Sequence, residues 1–143
     1  MYYINRARID DRISFIAYIK QAITRLQAQW IEGEPLLVLA EERVIHLAIE
    51  VVTDIGSDLI DGLMLREASS YVDIVKVLQG EDVFPQHTAN VLIELVELRK
   101  ELVQQYTDWD RSRLHHVIPK LNKTLEEFKV GVEKFLDKEL HSF

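Results

Sequence analysis

Between Val44 and Ile60 the chain carries Val44, Ile45, Leu47, Ala48, Ile49, Val51, Val52, Ile55, Leu59 and Ile60, an apolar set at helical spacing. A helix that is apolar on most sides has to be enclosed by others, so this stretch predicts the central element of an all-α bundle. What remains polar is a narrow stripe of Arg43, His46, Glu50, Asp54, Ser57 and Asp61, with Asp58 beside it. Pro35 suits the first helical position, and the helix is expected to run from about Leu36 to about Leu63.

Around that centre the punctuation predicts about five helices in an antiparallel bundle. Ile9, Ile13, Ile16, Ile19, Ile23, Leu26 and Trp30 recur every three or four residues behind Asn5, which is placed to cap a long first helix. Glu32-Gly33-Glu34-Pro35 breaks it. Gly62 and Arg66 to Ser69 read as a loop; Ser70 with Asp73 then resembles a capping box, opening a short helix that Gly80 ends. Pro85 starts a fourth helix expected to reach at least Tyr106, and Asp110 is placed to cap a fifth, which Pro119 should kink or split.

Composition narrows the function. With 143 residues the chain is expected to be one domain, residues 1–143, large enough to bury a core. There is no cysteine, which excludes disulfides and thiolate chemistry. The N-terminus is charged from Arg6 onward and no apolar run approaches the length that spans a bilayer, so a soluble, cytoplasmic protein is expected. A net charge of −7 argues against a sequence-independent grip on nucleic acid, although local basic patches could bind phosphate.

The chemically pointed stretch is Leu92 to Asp110. Leu92, Leu95, Arg99, Leu102 and Tyr106, at alternating steps of three and four, share one line of a helix, which puts the Arg99 guanidinium on an apolar face. A charge there needs an acidic partner, a phosphate or a route to water. Two readings stay open: an ion pair with Glu50, Asp54 or Asp58 of the central helix, or a phosphate or RNA-backbone ligand in a cleft between the helices. Gln104 lies about 140° from the Arg99 line, grouped with Glu94, Glu97, Glu101 and Asp108 on an acidic, solvated face.

Arg99, four intervening residues, Gln104, one residue and then Tyr106, on the fourth of five helices, resemble the R-x4-H-x-Y signature of the HepT-like branch of the HEPN superfamily. The lead-in LVELRKELVQQY and the acidic stripe of the second helix are similar too. The resemblance implies a homodimer with a composite ribonuclease site, acting as the toxin beside a nucleotidyltransferase antitoxin that adenylylates the motif tyrosine in some systems. It makes Arg99, Gln104 and Tyr106 the catalytic positions, Arg99 the phosphate-binding group, and Tyr106 the candidate modification site. His46, Glu50, Asp54 and Asp58 would be the supporting stripe, and no cofactor or metal is implied.

One departure stands out. Gln104 fills the slot where active members have histidine, and glutamine has no proton to exchange near neutral pH. Losing such acid–base help typically costs on the order of 100- to 10,000-fold in rate, so a feeble ribonuclease is expected unless another group substitutes. His46, His115 and His116 are the evident replacements, with His46 on the stripe fitting best. Arg111, Arg113, His115 and Lys120 form a modest basic run that is either a wet helix face or an RNA-backbone track.

Two alternatives belong to other classes. A non-catalytic interaction module would use Arg99 only to close a salt bridge, and Arg99→Ala would then lower stability markedly. A magnesium-dependent nucleotide pyrophosphatase would need Asp58 and Asp61 to converge with Glu94 and Glu97 on one cleft.

Overall fold

The computed structural model describes residues 4–140. Among them run α1 (Arg6–Gln29), α2 (Pro35–Gly62), α3 (Tyr71–Gly80), α4 (Gln86–Glu97), α5 (Arg99–Val103) and α6 (Ile118–Leu140), with a 3-10 turn at Tyr106–Asp108 and no strand. The expected all-α bundle is present, α4 and α5 standing for a single predicted helix. Its centre is α2, which packs against every other α-helix. Among the described residues no helix is long and apolar enough to cross a membrane.

Local chemistry explains most helix starts. Asn5 Oδ1 accepts the Arg8 N–H at 3.1 Å and opens α1, whose Ile9, Ile13, Ile16, Ile19, Ile23 and Leu26 are all buried. Each such side chain contributes roughly 1.5–3 kcal/mol by leaving water. Glu34 accepts the Leu37 N–H at 3.0 Å ahead of Pro35, so α2 begins where its proline predicts. Ser70 Oγ accepts the Asp73 N–H at 3.0 Å. Asp73 answers to Ser69 N at 2.9 Å and takes both Arg66 Nη groups, at 2.8 and 3.0 Å, so the loop before α3 is tied to its first turn.

Three expectations change. The fourth helix does not carry Tyr106: it lapses at Leu98, whose N–H turns to Leu95 O at 3.1 Å, resumes as α5, and stops at Val103. There the Gln104 and Gln105 N–H groups both close on Lys100 O, at 2.9 and 3.1 Å, a bonding pattern that ends a helix. Trp109, buried a few residues later, draws the chain back onto the bundle.

Asp110, second, caps no helix. Its Oδ1 accepts Ser112 N at 2.9 Å and Ser112 Oγ at 2.6 Å in a loop turn. His115 serves the last helix instead, its Nδ1 accepting Val117 N at 3.0 Å and its carbonyl accepting Ile118 N at 3.1 Å. Third, Pro119 neither kinks nor splits α6, because the helix begins at Ile118 and the missing N–H falls in the unpaired first turn.

One glycine is needed for packing. A Cβ on Gly131 of α6 would meet the backbone carbonyl of Val83 inside van der Waals contact, so α6 can lie against the α3–α4 connection only there.

Candidate functional site

The stripe on α2 becomes a spine of ion pairs. Glu42, His46, Glu50, Asp54 and Asp58 follow one another at steps of four on one face of the helix. Arg111 from the loop reaches Glu42 at 3.2 Å, Arg99 from α5 approaches Glu50 at 3.8 Å, and Arg12 and Arg8 from α1 reach Asp54 at 3.5 Å and Asp58 at 3.2 Å. Each carboxylate of the row thus faces an arginine of another element. His46 is the member without one; its Nε2 lies 3.3 Å from Glu50 Oε1, the same oxygen that faces Arg99.

Arg99 sits as its position among leucines requires, with its side chain 30% exposed. Its guanidinium carbon lies 4.4 Å from the ring centroid of Tyr71, a cation–π contact worth about 0.5–1 kcal/mol where solvent reaches it. The Nε atom is buried and makes no hydrogen bond, since 3.8 Å from Glu50 is outside bonding range. Of the three partners open to Arg99, Glu50 is the one it faces; Asp54 and Asp58 pair with Arg12 and Arg8 of α1. Tyr71 carries no sign of this role in the sequence, because the first residue of a capped helix faces whatever the preceding loop turns it toward.

Gln104 is exposed just beyond α5. Tyr106 is 58% exposed on the 3-10 turn, and its carbonyl accepts Arg111 Nη2 at 2.7 Å. The three motif positions therefore share one segment of chain but not one helical line. Arg111 also bonds Trp109 O at 3.3 Å, so it staples this segment to α2 rather than standing free.

The rest of the basic run is similarly engaged. Arg113 lies 3.5 Å from Asp110, and Lys120 and His116 flank Glu94 at 3.3 and 2.5 Å. His115 stacks between Trp109 and His116, with ring centroids 5.3 and 4.4 Å away, and burial, followed by the neighbouring His116, pulls its pKa down. The acid pairs of the pyrophosphatase reading face different elements, Asp58 toward α1 and Glu94 toward α6, with Asp61 and Glu97 exposed. Among the described residues no three His, Asp or Glu side chains are grouped so as to hold a metal ion.

Two further features stand beside the spine. Glu41 is buried, 1% exposed, and accepts His115 N at 3.3 Å; burial raises its pKa from 4.5 to about 7, against the pull of the His115 N–H. Phe15 and Tyr18, stacked at 5.5 Å and exposed on α1, border an open groove of about 600 Å³ that reaches Leu47, Glu50 and Asp54 on α2. Their signal in the sequence is an aromatic pair at three-residue spacing lying off the isoleucine row.

The profile of the family described as Ribonuclease HepT-like matches residues 13–131. The chain belongs to that family. YutE of Bacillus subtilis (strain 168), which bears the name of a candidate RNase, is 34% identical over 140 residues, covering 98% of this chain and 95% of YutE. The solved structure of YutE, described as a cytosolic protein of unknown function, superposes with a TM-score of 0.87 at 31% identity, over 100% of this chain and 98% of that one. A tri-AMPylated HEPN toxin of Shewanella oneidensis in complex with MNT antitoxin matches with a TM-score of 0.76 at 18% identity, over 88% of this chain and 96% of the toxin, a likeness of fold.

Proposed function

We propose that this HepT-like chain is the RNA-binding, ribonuclease-like component of a toxin–antitoxin pair, working as a homodimer beside a nucleotidyltransferase antitoxin. The observation that supports it best is the half-buried Arg99 guanidinium. Its Nε–H is buried without a hydrogen bond, and its one carboxylate neighbour stands 3.8 Å off. A group bonded no better than this, on a rim of Glu50 and Tyr71, suits a phosphodiester, which would take up the donors that the protein leaves idle. Arg99 then binds and neutralises the phosphate, Gln104 donates hydrogen bonds to phosphate or base, and Tyr106 contacts the substrate from an exposed turn.

The same exposure makes Tyr106 the candidate site of adenylylation. The HEPN toxin of similar fold is AMPylated in its complex with MNT antitoxin, and a modifying enzyme needs the free phenol that this turn presents. Incubation of the purified protein with single-stranded RNA tests the reading. Wild type is expected to bind RNA and cleave it slowly, Arg99→Ala to lose binding, and Gln104→His to gain cleavage. If Arg99→Ala binds RNA as wild type does and Gln104→His gains nothing, the site is wrongly assigned and the interaction-module reading takes its place.

A further inference from the structure

We infer that His46, held by Glu50, is the proton-transferring group of this site and takes the part that Gln104 cannot. This rests on the reading above, that the site acts on RNA. Its first support is register. Arg99 stands at the level of Glu50, whereas the Tyr106 carbonyl is tied through Arg111 to Glu42. The segment from Arg99 to Tyr106 therefore runs antiparallel to α2. His46 lies between Glu42 and Glu50 on α2, as Gln104 lies between Arg99 and Tyr106 on the segment that runs against it.

The second support is the shared carboxylate. Glu50 Oε1 lies 3.3 Å from His46 Nε2 and 3.8 Å from Arg99 Nε, so an imidazole and a guanidinium border a single oxygen. An imidazole beside a carboxylate is placed to accept a proton, because the acid stabilises the imidazolium that forms. About a third of the His46 side chain is exposed (32%), enough for a substrate hydroxyl to reach it.

Elimination among the described histidines is the third support. His115 spends Nδ1 on the Val117 N–H inside an aromatic stack, His116 pairs with Glu94, and His87 pairs with Glu127 where α4 meets α6. None of these shares a partner with Arg99.

In the reaction, the unprotonated ring nitrogen of neutral His46 takes the proton of an RNA 2′-hydroxyl. The freed oxygen forms a bond to the adjacent phosphorus while the P–O5′ bond breaks, giving a 2′,3′-cyclic phosphate and a 5′-alkoxide. Water protonates that alkoxide, and the imidazolium returns its proton to the hydroxide so produced. Arg99 balances charge on the phosphoryl oxygens. Glu50 acts through His46 and is a positioning residue.

Cleavage of a fluorogenic single-stranded RNA, with mass spectrometry of the product ends, tests this in wild type, His46→Gln, His46→Asn, Glu50→Gln, Gln104→His and the double variant His46→Gln/Gln104→His. Circular dichroism checks each fold. Expected are cyclic-phosphate ends from wild type, kcat lowered about 100-fold or more in both His46 variants at unchanged RNA affinity, and recovery in the double variant. Glu50→Gln should lower kcat more than it raises KM; a role confined to pairing Arg99 would move affinity instead. Full activity in His46→Gln overturns the assignment. Cleavage by Gln104→His alone also overturns it while sparing the ribonuclease reading, and cleavage by no variant overturns both.

Discussion

The Glu41 carboxylate, buried on α2, accepts the peptide N–H of His115 from the loop ahead of α6 at 3.3 Å. The contact anchors the loop that carries Trp109, Arg111 and the stacked histidines, and it places an ionisable acid where water cannot solvate it.

A pH dependence of stability follows. The folded protein keeps the Glu41 proton up to about pH 7, whereas an unfolded chain releases it near 4.5, so the native state binds more protons across that window. Stability should fall as pH rises through it, by about 3 kcal/mol, and level off above. His115, with its pKa lowered by burial, works in the opposite sense, losing stability as pH falls below the usual imidazole range. Chemical denaturation of wild type and Glu41→Gln between pH 5 and pH 8 separates them: the variant should lack the loss on the alkaline side.

Arg99→Ala should cost no more than about 1 kcal/mol. The Glu50 it leaves is partly solvated and keeps His46 beside it, and exposed ion pairs and cation–π contacts are each worth at most about that much. The interaction-module reading requires a much larger loss. Urea unfolding of the variant, set beside its RNA affinity, would therefore show binding lost with stability nearly kept.

Gly131→Ala should destabilise more than Gly56→Ala. The new methyl at position 131 meets the backbone carbonyl of Val83, which cannot turn aside, whereas at position 56 it meets Ile74 Cγ2, the end of a side chain. Overpacking of this kind costs about 1–3 kcal/mol, with the backbone case at the upper end. Thermal melts of the two variants decide the order.

Under the proposed function, Tyr106→Phe should abolish adenylylation by a nucleotidyltransferase partner and leave the melting temperature within about a degree. The phenol is exposed, and the turn is held through the Tyr106 carbonyl, which the variant retains. Intact-mass measurement after incubation with the partner and ATP checks it. An unchanged AMP adduct on the variant would assign the modification elsewhere.

Much of the architecture was readable before any coordinates. Asn5 and Ser70 cap helices because their side chains serve N–H groups three residues away, and α2 is central because its apolar residues cover most of its circumference. Arg99 among leucines already implied a partner. These are relations between residues within a turn or two of each other, which a periodicity reports.

What only the tertiary structure decided were choices among equivalents. Three acids on neighbouring turns of α2 could have met Arg99; the register of α5 against α2 selected Glu50, while α1 took Asp54 and Asp58. The helical pattern continued to Tyr106, yet the burial of Trp109 ended α5 at Val103 and turned the tyrosine outward. Local spacing fixes which face a side chain lies on. The element that arrives at that face is set by the packing of the whole core, and for that reason Tyr71 beside Arg99 had no signature in the chain.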